Sequence, residues 1–130
     1  MTDNIVYGGT NQELTHLNVL TGTPVVNNNK YINHYYSTPF QIDWGTHYNL
    51  ANWRTTTGQD ADSTLDSTAL PAGHSEKLLT NPTATAKRYY LNNASDVIND
   101  VTKAEISGTY VDVPAWGSMI VTGVDVELIQ

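Results

Sequence analysis

Short β-prone runs recur along this chain, and each is cut off by a turn cluster before it grows long. Ile5 to Tyr7 stops at Gly8-Gly9-Thr10-Asn11, and Leu14 to Leu20 stops at Thr21-Gly22-Thr23-Pro24. Spacing of this kind reads as short strands joined by tight turns. After Asn27-Asn28-Asn29, the run Lys30 to Tyr36 would place Ile32, His34 and Tyr36 on one strand face, opposite Tyr31, Asn33 and Tyr35. An Asn cluster beside a strand suggests a sharp corner, because Asn tolerates left-handed backbone. The expected fold class is therefore all-β, and the first half has room for one or two irregular solenoid coils.

A single helix interrupts this pattern. Thr46 is the expected N-cap of a segment over residues 47–57, with Leu50, Trp53 and Thr57 on one face and Gly58 at the left-handed C-terminal position. The stretch Gln59 to Gly73 lacks strong periodicity and reads as a joint between two halves, 1–73 and 74–130. Beyond it, Glu76 to Leu79, Lys87 to Leu91, Thr109 to Val113, Ser118 to Thr122 and Val124 to Leu128 read as strands. In the last, Val124, Val126 and Leu128 would face inward, away from Asp125 and Glu127. Turns are expected at 92–96, 107–108 and 114–117, so the second half reads as a small antiparallel sheet or sandwich. At 130 residues the chain suits one ordinary folding unit, or two poorly separated halves.

Composition narrows the partners. A net charge of −7, from 6 basic and 13 acidic residues, opposes phosphate backbones and anionic membranes, so neither nucleic acid nor a membrane is expected. The absence of cysteine removes disulfides and thiolate metal sites without fixing the compartment. The N-terminal Met-Thr-Asp-Asn lacks the basic and apolar regions of a signal peptide. If the protein is secreted, its signal lies upstream of this chain.

The segment Trp53-Arg-Thr-Thr-Thr-Gly-Gln-Asp-Ala-Asp-Ser63 resembles one found in bacterial right-handed parallel β-helix proteins of the pectate-lyase-like kind. There, a short Trp-bearing helix runs into Gly-Gln-Asp-x-x-Ser near the C-terminal end of the solenoid. The Asn27 to Tyr36 run is similar to the Asn-rich last coils of such proteins. Glu76 to Leu91, followed by Tyr110-Val-Asp-Val-Pro-Ala-Trp-Gly-Ser-Met-Ile-Val121, is similar to the terminal β-sandwich segment that follows many secreted glycosidase and lyase domains. The resemblance spans residues 27–121. It implies β-helix-like coils followed by a small β-sandwich, an extracellular carbohydrate context and a terminal, supporting role, with Asp60 and Ser63 tying the post-helix turn to a neighbouring coil. No position matches the family's catalytic motifs, so its activity is not carried over.

No nucleophile elbow, zinc spacing or defined carboxylate pair assembles an active site, and a non-enzyme without a cofactor is expected. The four histidines, His16, His34, His47 and His74, are scattered without zinc spacing. Asp60, Asp62 and Asp66 alternate like the first ligands of a calcium loop, but Leu65 stands where the loop needs Gly and Pro71 where it needs Glu. Turn-forming roles explain the same Asp residues. Sugar rings stack on flat side chains, and Trp44 in Asp43-Trp44-Gly45, with Tyr35 and Tyr48 near in sequence, is the candidate platform. Trp53 beside Leu50 is expected in the core, and Trp116 as the plug of one sandwich end. Asn93-Ala94-Ser95 matches a glycosylation sequon, for which chance is the plainer account.

Three functions remain open at this point. The first is a non-catalytic end-domain of an extracellular, carbohydrate-active β-helix protein, partnered by the rest of that protein and prone to self-associate through open strand edges. The others are a carbohydrate-binding module that takes a polysaccharide on exposed aromatics, and a subunit of an extracellular or viral fibre.

Overall fold

In the computed structural model, residues 1–9, 14–17, 25–91 and 94–124 are described. The turns expected around Thr10-Asn11, Thr21-Pro24 and Asn92-Asn93, the sequon Asn93, residues 18–20 and the end of the last expected strand (Asp125, Val126, Glu127 and Leu128) lie outside them. The chain divides into two compact units, Met1–Ala69 and Leu70–Gln130. The boundary precedes the expected one at Gly73, because Gly73 belongs to the turn closed by the His74 amide on the Pro71 carbonyl that opens the second unit's first strand.

Unit 1 contains β1 (Ile5–Tyr7), β2 (Thr15–Leu17), β3 (Lys30–Ile32), β4 (Phe40–Ile42), β5 (His47–Tyr48), α1 (Leu50–Thr57) and β6 (Thr64–Asp66). One sheet is wholly parallel, in the order β1-β3-β6, with Val6, Tyr31 and Leu65 in register. The other pairs β2 with β4 in parallel and β4 with β5 as a hairpin. Ile5 pairs with Lys30 and Thr15 with Phe40, the same 25-residue offset that separates Asn4 from its partner Asn29.

Three expectations fail here for local reasons. The strand beginning at Lys30 ends at Ile32 and not Tyr36, because the Asn33 side chain accepts the Tyr35 amide at 3.0 Å and folds the chain into a turn. The helix starts at Leu50 and not at residue 47. His47 and Tyr48 are taken by the hairpin with β4, and Asn49 instead of Thr46 caps the helix by accepting the Asn52 amide. The presumed joint after Gln59 contains β6, which extends the parallel sheet. Gly58, at φ 68°, closes the helix with its amide on the Arg54 carbonyl, a conformation that costs a glycine little.

The unit 1 core is aromatic. Tyr31 meets Phe40 edge-on at 4.9 Å, and Phe40 stacks on Trp53 at 5.2 Å, so both sheets and the helix close on one cluster completed by Leu50. Val6, Leu14, Ile42, Tyr48 and Leu65 pack around it.

Unit 2 contains β7 (His74–Thr80), β8 (Lys87–Tyr90), β9 (Ser95–Asn99), β10 (Tyr110–Val113) and β11 (Ser118–Val124). All pairings are antiparallel, in a three-stranded sheet β7-β11-β9 and a two-stranded ribbon β8-β10. Leu79, Val97 and Val121 from the first meet Tyr89, Val111 and Val113 from the second in one core. Val124 belongs to β11, and β9 occupies part of an expected turn. The regular structure of the described residues is thus mostly strand, with one short helix and several small sheets.

Candidate functional site

Asp60 is a buried carboxylate at the centre of the polar network of unit 1. It is fully buried, in left-handed backbone at φ 57°, just past the helix terminator Gly58. Its Oδ2 accepts the Trp53 indole Nε1–H at 2.9 Å. Its Oδ1 accepts Ser63 Oγ–H at 2.6 Å, Tyr31 O–H at 3.0 Å and Asn29 Nδ2–H at 3.3 Å. Four donors match the lone-pair positions of a carboxylate. Ser63 Oγ in turn accepts the Asn29 amide at 2.8 Å, Gln59 Oε1 accepts the Val26 amide, and Arg54 donates to the carbonyls of Asp60 and Ser63. The segment after α1 is thereby fastened to the chain that precedes β3.

A carboxylate so placed can organise a fold but cannot reach a substrate. Burial pushes the Tyr31 phenol up to about 12, Thr15 opposes that rise through its hydrogen bond, and the adjacent Asp60 charge adds to it. Asp62 accepts from Asn27 Nδ2 and Asp66 from the Thr68 amide. Among the described residues Asp60, Asp62 and Asp66 do not converge on one point, because a turn and then an extended strand separate them instead of a wrapped calcium loop.

The aromatic candidates divide. Tyr48 pairs with Phe40 and packs against the core, so most of its ring serves the fold. Tyr35 is exposed on the turn that Asn33 closes. Trp44 is 81% exposed at the tip of the β4-β5 hairpin. The two turns approach each other where the Tyr36 ring meets His47 edge-on at 5.6 Å. In the Ile42–Gly45 turn, closed by the Gly45 amide on the Ile42 carbonyl at 2.9 Å, Asp43 and Trp44 both have positive φ, the requirement of a type I′ turn. Asn-Gly suits that geometry, and a tryptophan does not.

Unit 2 repeats this oddity at a position read from sequence as a plug. Trp116 is 73% exposed, because the core-facing residues of β10 are Val111 and Val113 and the chain has already turned outward at Pro114. The Gly117 amide closes the turn on the Pro114 carbonyl at 3.0 Å, with Trp116 at φ 55°, where a type II turn calls for Gly or Asn. A Cβ on Gly117 would lie 2.9 Å from Pro114 Cγ, so no larger residue fits beside it.

Asn81, buried and unremarked in the sequence, holds that turn. Its Nδ2 donates to the carbonyls of Thr85 at 2.7 Å and of Val113 and Pro114 at 2.9 Å, while its Oδ1 accepts from the Thr83 amide and hydroxyl. The Trp116 amide then donates to the Thr83 carbonyl at 3.0 Å. Beside the turn, the outer face of β8-β10 presents Tyr90 opposite Tyr110 and Arg88 opposite Asp112. Arg88 grips Asp112 with two parallel bonds of 2.8 Å and lies 3.7 Å over the Tyr110 ring. No protein-family model, curated protein or solved structure matches the chain.

Proposed function

We propose that the chain is a non-catalytic end segment of an extracellular parallel β-solenoid that handles polysaccharide, with unit 1 supplying the last coils and unit 2 a terminal β-sandwich. The observation that carries this reading is the shared offset of 25 residues between β1 and β3 and between β2 and β4. Strands that return in parallel at one interval on two separate sheets are what successive turns of a solenoid produce. The side chains stack in the same rhythm, Asp3 with Asn28 and Asn4 with Asn29. β6 extends the first sheet in parallel at a longer interval, with Lys30 pairing with Thr64 across the segment that holds the hairpin and the helix.

In this reading β1 is an edge strand to which a preceding coil would add, and in isolation it is a template for self-pairing. Sedimentation velocity tests it. The mean mass is expected to rise with concentration, and Ile5→Lys, which puts a charge on the exposed start of β1, should return the chain to monomer. A chain that stays monomeric at every concentration would count against the reading, as would release of reducing ends or unsaturated products from polysaccharide.

A second reading, a carbohydrate-binding module, is favoured by the exposure and left-handed backbone of Trp44. Trp44→Ala should then abolish retardation of the chain in polysaccharide-containing gels.

A further inference from the structure

Backbone strain that folding does not need invites a functional account. Trp116 occupies a left-handed position while leaving most of its ring in water, so neither turn preference nor burial explains a tryptophan there. The surrounding frame is nonetheless fixed, with Asn81 bridging the 81–85 loop to Val113 and Pro114, and Thr83 holding the Trp116 amide. A rigid support under an exposed ring is what a stacking surface requires.

The outer face of β8-β10 leads directly into this turn. Tyr110 and Asp112 alternate outward along β10, and Tyr90 and Arg88 oppose them on β8. Both tyrosines are about half exposed, at 50% and 42%. Arg88 is engaged by Asp112, so the pair adds no net charge, yet it still offers N–H groups and carboxylate lone pairs at the surface. We propose that this strip, Trp116 with Tyr90, Tyr110, Arg88 and Asp112, binds a neutral polysaccharide, its sugar rings stacking on Trp116 and Tyr90 and its hydroxyls bonding to the ion pair that Tyr110 supports from beneath Arg88.

Size and charge select that occupant. A ribbon two strands wide and four residues long covers roughly 13 Å by 10 Å, far below the ~800 Å² per partner that a stable protein interface buries. A linear chain of a few sugar rings fits such a strip. The net charge of −7 disfavours uronate polymers and anionic lipid surfaces. This site belongs to unit 2, whereas the Trp44 turn belongs to unit 1, and it does not depend on unit 1 forming part of a solenoid.

Affinity electrophoresis of the full chain through gels containing xyloglucan, galactomannan or mixed-linkage β-glucan tests the proposal, with polygalacturonate as the anionic control. Retardation by at least one neutral polymer is expected. Trp116→Gly should weaken it about tenfold, Trp116→Phe should retain part of it, and Tyr90→Ala should weaken it as well. Glycine suits the left-handed position, so Trp116→Gly should melt no lower than the wild type, which separates loss of binding from loss of fold. The proposal is overturned if no neutral polymer retards the chain, if Trp116→Gly is retarded as strongly as wild type, or if only polygalacturonate acts. Retardation lost in Trp44→Gly but kept in Trp116→Gly would overturn it in favour of the unit 1 turn.

Discussion

The indole Nε1–H of Trp53 donates to Asp60 Oδ2 at 2.9 Å, joining the inner face of the helix to a buried carboxylate seven residues later. Asp60→Ala would strand that donor together with those of Ser63 and Tyr31, at a cost of about 3 kcal/mol or more. Trp53→Phe keeps an aromatic ring against Phe40 and loses one bond to a charged acceptor, about 1.5–3 kcal/mol. Urea titrations of the two single variants and the double variant should show a combined loss smaller than the sum, because they share one interaction. Strict additivity would mean that the bond contributes nothing.

Alkali should weaken unit 1 before the buried Tyr31 phenol of the folded chain ionises. The folded Tyr31 phenol titrates at about 12, against an ordinary value of 10.0 for the unfolded chain. Its contribution to stability is therefore complete below pH 10 and is lost as pH rises towards 12, where the unfolded state has already released its proton. Absorbance at 295 nm should show a late ionisation step that coincides with unfolding and is missing in Tyr31→Phe.

Asp112 should titrate below the usual carboxylate range, because the Arg88 guanidinium hydrogen-bonds and attracts its charged form. The sign makes this pair stabilising above the ordinary carboxylate pKa, with the benefit lost as pH falls through the depressed folded value. At an exposed site the effect is small and screened. Carboxyl NMR titration should place the Asp112 midpoint low at low salt, and move it upward in 1 M salt and in Arg88→Gln.

Replacing Trp44 by glycine should raise the melting temperature. The type I′ position disfavours any residue with a Cβ, and relief is worth about 1 kcal/mol. Adding Asp43→Asn completes the preferred Asn-Gly pair. A lower melting temperature in Trp44→Gly would show that the indole makes contacts worth more than the strain.

Sequence patterning revealed what depends on neighbours. The alternation Tyr110-Val-Asp-Val113 marks a half-buried strand, and Gly58 marks a helix end, because each answers to local geometry. The helix start was obscured because Thr46 and Asn49 are both good caps, and only the pairing of His47 with Gln41 decides between them. Phe40–Ile42 and Ser95–Asn99 are short and set among turn formers, so they become strands only through partners far away in the chain. At the candidate sites, Trp44 could be read as a turn residue from Asp43-Trp44-Gly45. The exposure of Trp116 could not, since Pro-Ala-Trp-Gly suits a buried plug equally well. The network of Asn81 has no local signature, because its partners Val113 and Pro114 lie more than thirty positions away.

The interval shared by the β1–β3 and β2–β4 pairs of unit 1 also governs how this chain can change in length. A single residue inserted between β2 and β3 would have to be absorbed by the intervening connection, since a one-step slip in pairing would turn Tyr31 out of the core. A segment of 25 residues, added or removed as one block, would return β1 and β2 to neighbours equivalent to β3 and β4, while β6 follows β3 at the longer interval of Lys30 to Thr64. Lineages of this chain should therefore differ by whole turns more readily than by single residues, so that its evolutionary unit of growth is the layer.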